Sequence, residues 1–122
     1  MATHHSELFL YHSPFQPIDK QTFAYARTIA KFVNAIDVSK ERLTATRWHY
    51  LLQQLNLRAK DLFNRAHPDY QSKIAGKNWD DESWVSILIE SPHLIKSPIA
   101  TYRKGAILCS TPTDILKLSS MR

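Results

Sequence analysis

The chain has 122 residues, the length of one domain, and its 43% hydrophobic and 22% charged residues are those of an ordinary soluble globular protein. No apolar run approaches the roughly 20 residues a bilayer crossing needs, and the amino end MATHHSELF lacks a basic segment followed by an apolar one, so a cytoplasmic protein with no membrane partner is expected. The formal charge of +5 is scattered from Lys20 to Arg122, mostly beside Asp or Glu, which makes nucleic acid an unlikely partner; the single cysteine, Cys109, excludes an internal disulfide.

In chain order, Glu7–His12 is a short apolar run ended by Ser13-Pro14 and predicts a buried strand. From Asp19 to Lys31, Phe23, Ala26, Ile29 and Ala30 recur at helical spacing, with Asp19 as the expected N-cap. Phe32–Val38 reads as a second strand, so the opening is a β-α-β unit with parallel strands. Thr44 precedes a helix whose Trp48, Leu51, Leu52 and Leu55 share one face, and Ala59–Ala66 reads as a short continuation after a break. His67-Pro68 is expected to interrupt the path, because proline disfavours α geometry in the residue before it.

A further helix is predicted from about Asp80 to Glu90, with three acidic residues in its first turn, Trp84, Ile87 and Leu88 facing inward, and Pro92 beyond its end. Ile99–Tyr102 and Ala106–Cys109 form a hairpin through Arg103-Lys104-Gly105, where Gly105 is expected to supply a positive φ. Thr111 should cap a last helix carrying Ile115, Leu116 and Leu118, with Pro112 at its first position. The order is β-α-β, a helical insert at about 44–91, then β-β-α. That is an α/β fold on the thioredoxin plan, with a four-stranded mixed sheet in a single domain spanning 1–122. Two glycines leave no room for a Gly-rich phosphate loop.

The segment Trp84–Leu118, WVSILIESPHLIKSPIATYRKGAILCSTPTDILKL, resembles the glutaredoxin-coupled arsenate reductase and Spx family, whose members show a helix ending in NP, then LIKRPI, a hairpin and GRPPEDVLKLL. LIKSPI is the most specific piece. YHSPFQ at Tyr11–Gln16 is similar to the family's YHNPxC loop after the first strand.

The resemblance implies a thiolate nucleophile at the first strand-to-helix turn, three arginines around the oxyanion, and a cis-proline facing that turn. It places Gln16 at the nucleophile's position, Asn64, Ser97 and Ser110 at the arginine positions, and Pro98 at the cis-proline. A carboxamide forms neither a sulfur–arsenic adduct nor a mixed disulfide, and each lost charge-assisted hydrogen bond removes about 1.5–3 kcal/mol. Pro17 lacks an N–H and Asp19 adds a carboxylate at the helix mouth, both unfavourable to an anion, while Lys20 keeps a positive charge about where the family has one.

The expectation is therefore a degenerate, non-catalytic member of that family, acting as an interaction or ligand-binding module with a protein partner, and monomeric. Alternatives are an Spx-like partner of RNA polymerase, for which the CxxC switch is replaced by Gln16 and Asp19, and an enzyme of altered chemistry holding glutathione weakly with Ser13, Gln16 and the backbone beside Pro98. No cofactor is expected. Cys109, after Ala106, Ile107 and Leu108, stands where a small buried hydrophobe belongs, and His12 is read as structural. His67 and His93 are far apart in sequence, so no metal site is expected; Trp48 and Trp84 should be core, and Trp79 exposed.

Overall fold

The computed structural model describes residues 7–13, 19–103 and 105–120. Strand β1 (Glu7–His12) has the predicted bounds, and its period-two pattern is the reason it lies at the centre of the sheet: Leu8 and Leu10 face one side, Phe9 and Tyr11 the other. Helix α1 (Asp19–Ile29) follows, with Asp19 as its first helical residue and not as the cap. It returns the chain to β2 (Phe32–Asp37), which pairs with β1 in parallel. The hairpin strands β3 (Ile99–Tyr102) and β4 (Gly105–Leu108) complete a mixed sheet in the order β2-β1-β3-β4, with β3 antiparallel to both its neighbours.

Both faces of this sheet are covered. On one, Leu8, Leu10, Ala100, Tyr102 and Cys109 meet Ala26 and Ala30 around α1 and Ile115 and Leu118 from a 3-10 helix at Pro112–Ser120. On the other, Tyr11 and Ile99 meet the helices between β2 and β3: α2 (Ala45–Leu55), a 3-10 turn at Ala59–Leu62, α3 (Pro68–Lys73) and α4 (Asp81–Glu90). Trp48, Leu51, Phe63, Trp84 and Leu88 fill that second core, and Phe63 stacks obliquely on both Trp84 and Tyr70, at centroid separations of 5.4 and 5.9 Å.

Local chemistry sets the helix ends. Thr44 accepts from Arg47 N at 3.1 Å, and Asp80 accepts from Ser83 N at 2.7 Å, so each is an N-cap. Asn56, at φ 57°, ends α2 in the left-handed conformation, and its N–H bonds back to Gln53 and Leu52 carbonyls. The expected continuation over Ala59–Ala66 is only the turn at Ala59–Leu62, after which Phe63 leaves in extended geometry and bridges to Ile95.

Two further expectations are corrected. His67-Pro68 does turn the path, but it also starts α3: His67 is extended, its Nδ1 accepts from Asp69 N at 3.0 Å, and Pro68 occupies the first turn, where a missing N–H costs nothing. The last helix is 3-10, and its entry is held by Asp114, whose carboxylate accepts from Ser110 N and Thr111 N, not by the Thr111 side chain. In the hairpin, Arg103 has a positive φ of 56° and Gly105 pairs with Tyr102 at the start of β4; Lys104, on which the φ expected of Gly105 depends, lies outside the described residues.

Truncating a fully enclosed side chain of the second core, Leu51→Ala, is expected to lower the unfolding free energy by about 2–5 kcal/mol. The cap deletion Thr44→Ala should cost about 1 kcal/mol. Urea denaturation followed by tryptophan fluorescence measures both.

Candidate functional site

The carboxyl end of β1, the start of β3 and the end of β4 meet at one edge of the sheet. Tyr11 pairs with Ile99 and Ile99 with Leu108, so Ser13, Ser97, Pro98, Cys109 and Ser110 all lie one or two residues beyond paired positions at the same end. The structure thus gathers most of the predicted positions. The Ser97–Pro98 peptide bond is cis, as the resemblance implied, and the Pro98 carbonyl accepts from Cys109 N at 2.9 Å. Gln16 and Pro17, with the whole of 14–18, lie outside the described residues.

Ser13 is buried. Ser97 is 7% exposed, and its Oγ is buried with no hydrogen-bond partner among the described residues. A buried hydroxyl without a partner is uncommon in a native fold and costs about 1–3 kcal/mol. Ser110 is exposed and held through its backbone by Asp114. Asn64 is tied near this end by Phe63↔Ile95 and by its N–H to the Leu94 carbonyl at 2.7 Å; its side-chain oxygen folds back to accept from Ala66 N. Arg65 beside it is exposed.

Lys20 does not join this group along one wall. It is exposed in the first turn of α1 and lines a cavity of about 210 Å³ with Leu10, His12, Phe23 and Ala35, on the flank of the edge strand β2. His12 is half-buried at that flank.

The lone thiol faces inward. Cys109 is 2% exposed and sits in the core that contains Leu8, Leu10, Ala100, Ile115 and Leu118. That agrees with its reading as a small buried hydrophobe.

Three features escaped the sequence. Tyr11 is buried beside Arg47 and Tyr50 at the start of α2; burial raises its phenol pKa, the Arg47 charge opposes this, and Tyr50 adds to it. His67 and His93, distant in sequence, have ring centroids 5.3 Å apart, and His93 Nε2 lies 2.9 Å from Asp69 Oδ2. The bond from His93 is the main cause holding the Asp69 carboxyl below the usual range. Among the described residues, no three His, Cys, Asp or Glu side chains are grouped to hold a metal. Trp79, expected to be exposed, is half-buried: its indole N–H donates to the Ile74 carbonyl at 3.1 Å and its ring stands edgewise on Trp84. Only the spacing of Asp69 and His67 around Pro68 carried any signal of this second cluster.

Solved structures share this architecture almost end to end. The arsenate reductase of Vibrio cholerae superposes with a TM-score of 0.83 at 20% identity, over 93% of this chain and 98% of that one. The fold is that of arsenate reductase-like proteins. A Yersinia pestis protein with the provisional name arsenate reductase gives a TM-score of 0.82 at 19% identity, over 90% of this chain and 98% of its own. An arsenate reductase-related protein of Brucella melitensis gives 0.65 at 15% identity, over 98% and 100%. No family model matches the chain. No curated protein matches it by sequence. At these identities the likeness carries the arsenate reductase-like fold. Among the described residues, no helix is long and apolar enough to cross a membrane.

Two measurements test the site. Cys109 in the native protein is expected to react with an aromatic disulfide reagent far more slowly than in denaturant, read from absorbance of the released thiolate. Asp114 has a depressed carboxyl pKa, caused first by the Thr111 N–H, then by the Ser110 N–H. Its stabilisation is present above the unfolded carboxyl's pKa and is lost as pH falls through the lower folded value. Replacing Asp114→Asn should therefore flatten the acid limb of the stability profile in that window, measured by urea denaturation at stepped pH.

Proposed function

We propose that this chain is a non-catalytic protein of arsenate reductase-like fold, which uses the scaffold to bind a protein or a small ligand. The observation that carries the reading is the place of its sole thiol: Cys109 lies within the core and not at the turn where a thiolate would attack. Thiol-dependent arsenate reduction needs a sulfur nucleophile with access to the oxyanion and cationic donors around it. Around the cis Ser97–Pro98 bond the chain offers hydroxyls and a carboxamide instead, at Ser97, Ser110 and Asn64. Gln16, at the position the resemblance assigns to the nucleophile, supplies no sulfur.

One observation favours a second reading, that a glutathione-like peptide is held at this turn. The buried Ser97 hydroxyl beside Pro98, without a partner among the described residues, is a polar group that an extended backbone at that edge would satisfy. Binding there would be weak, since Asn64, Ser97 and Ser110 stand at the three positions that the resemblance assigns to arginines.

Incubation of the purified protein with arsenate, glutathione and glutaredoxin is expected to yield no arsenite above the protein-free rate. Turnover that survives Cys109→Ala would mean another nucleophile, and turnover abolished by it would mean an accessible Cys109; either ends the non-catalytic reading. Glutathione titration followed by NMR should move amides near Ser97 at millimolar ligand, and no shift there dismisses the second reading.

A further inference from the structure

A different part of the molecule holds a better-formed cavity. Between α3, α4 and the turn that follows α4 lies a pocket of about 240 Å³ lined by Ile74, Trp79, Ile87 and Leu94, with Asp69, Lys73, Ser91 and His93 as its polar lining. None of Ser13, Lys20, Asn64, Ser97, Pro98 and Ser110 is among its lining residues.

The apolar wall is built in advance. Trp79 is anchored at its nitrogen by the Ile74 carbonyl and braced by Trp84, with centroids 6.4 Å apart at 67°, so the indole presents a fixed flat surface. Ile87 and Leu94 are set by α4 and the turn after it, in a segment whose Leu94 and Ile95 backbones are hydrogen-bonded to Ser91 and Pro92. A flat ligand entering here loses little to reorganisation of the protein.

The polar lining carries one carboxylate, Asp69, and one ammonium, Lys73, beside Ser91 and His93. The Asp69 carboxylate is engaged by His93 at 2.9 Å, and the Asp69 N–H is engaged by His67, which ties the start of α3 to the turn after α4. Lys73 makes no ion pair within 4 Å among the described residues, although its charge helps to lower the Asp69 pKa. A second ammonium, Lys77, lies 5.7 Å from the centroid of the Trp79 ring. The neighbouring carboxylate of Asp80 is turned to Ser83 N as the α4 cap. With the Asp69 carboxylate bonded to His93 and the Asp80 carboxylate bonded to Ser83 N, Lys73 is the charged group of the lining left to meet a ligand, and a lysine recognises an anion as a point charge.

We infer that this pocket is a binding site for a small aromatic carboxylate, its ring against Trp79, Ile87 and Leu94 and its carboxylate toward Lys73. The volume suits one ring with its acid group, since cavities of about 150 Å³ already admit benzene. This site is separate from the turn at Ser97–Pro98, and its occupancy does not depend on whether that turn is catalytic.

The test uses the intact, isotopically labelled protein with benzoate and its neutral isostere benzamide as probes, read by NMR. Benzoate is expected to produce saturable shifts at the Trp79 indole N–H and at backbone amides around Lys73–Trp79 and Ser91–Leu94. Benzamide should bind more weakly, and Lys73→Met, a change at an exposed residue, should weaken benzoate about threefold or more while leaving benzamide unchanged. Ile87→Trp, which fills the cavity, should abolish both; if that variant does not fold, Lys73→Met alone decides. The inference is overturned by the absence of saturable shifts at that indole, by equal affinity for the two probes, or by a loss that follows Lys20→Met instead.

Discussion

The structure rests on burial of both faces of its central strand pair. β1 and β3 run antiparallel in the middle of the sheet, and the alternation of Leu8 and Leu10 against Phe9 and Tyr11 sends each set of side chains into a different core. A one-residue slip would exchange those faces and expose every one of these side chains to the wrong partner, so register and two-sided covering are a single constraint. Ile99, Ala100 and Tyr102 on β3 obey the same alternation. α1 and the 3-10 helix close one face, and the helices between β2 and β3 close the other.

The candidate site is a by-product of that arrangement. Because β1 ends where β3 begins, Ser13 and Ser97 lie at the same end, and because β4 returns beside β3, Cys109 bonds the Pro98 carbonyl. Period two then fixes the thiol: Cys109 shares a face with Ile107, two positions before it, and that face is the α1 core. Placement of the sulfur is thus a consequence of strand register.

The second cluster shows how a helical stretch between strands acquires a chemistry of its own. α3 is short, and its place is held by Tyr70 in the core and by bonds from Asp69 to His67 and His93. Those polar ties hold α3 against the turn after α4, and the cavity opens where Trp79 stops short of Ile87 and Leu94. A site formed this way owes nothing to the sheet end where Ser97 and Pro98 lie.

By itself the sequence determined the strands and the long helices, because these are local: alternation in Glu7–His12, helical spacing in Trp48–Leu55 and Trp84–Leu88, and an acid-rich first turn at Asp80–Glu82, whereas the cap roles of Thr44 and Asp80 were seen only in the structure. It also marked Ser97–Pro98 through the LIKSPI pattern. It did not separate proline as a breaker from proline as a helix starter, so α3 was legible only as an interruption at His67-Pro68. The choice of Asp114 over Thr111 at the last helix, the half-burial of Trp79 and the meeting of Asp69 with His93 were decided by tertiary structure. Each depends on the distance between groups that chain connectivity leaves free, and such distances are set only when the two cores close around the sheet.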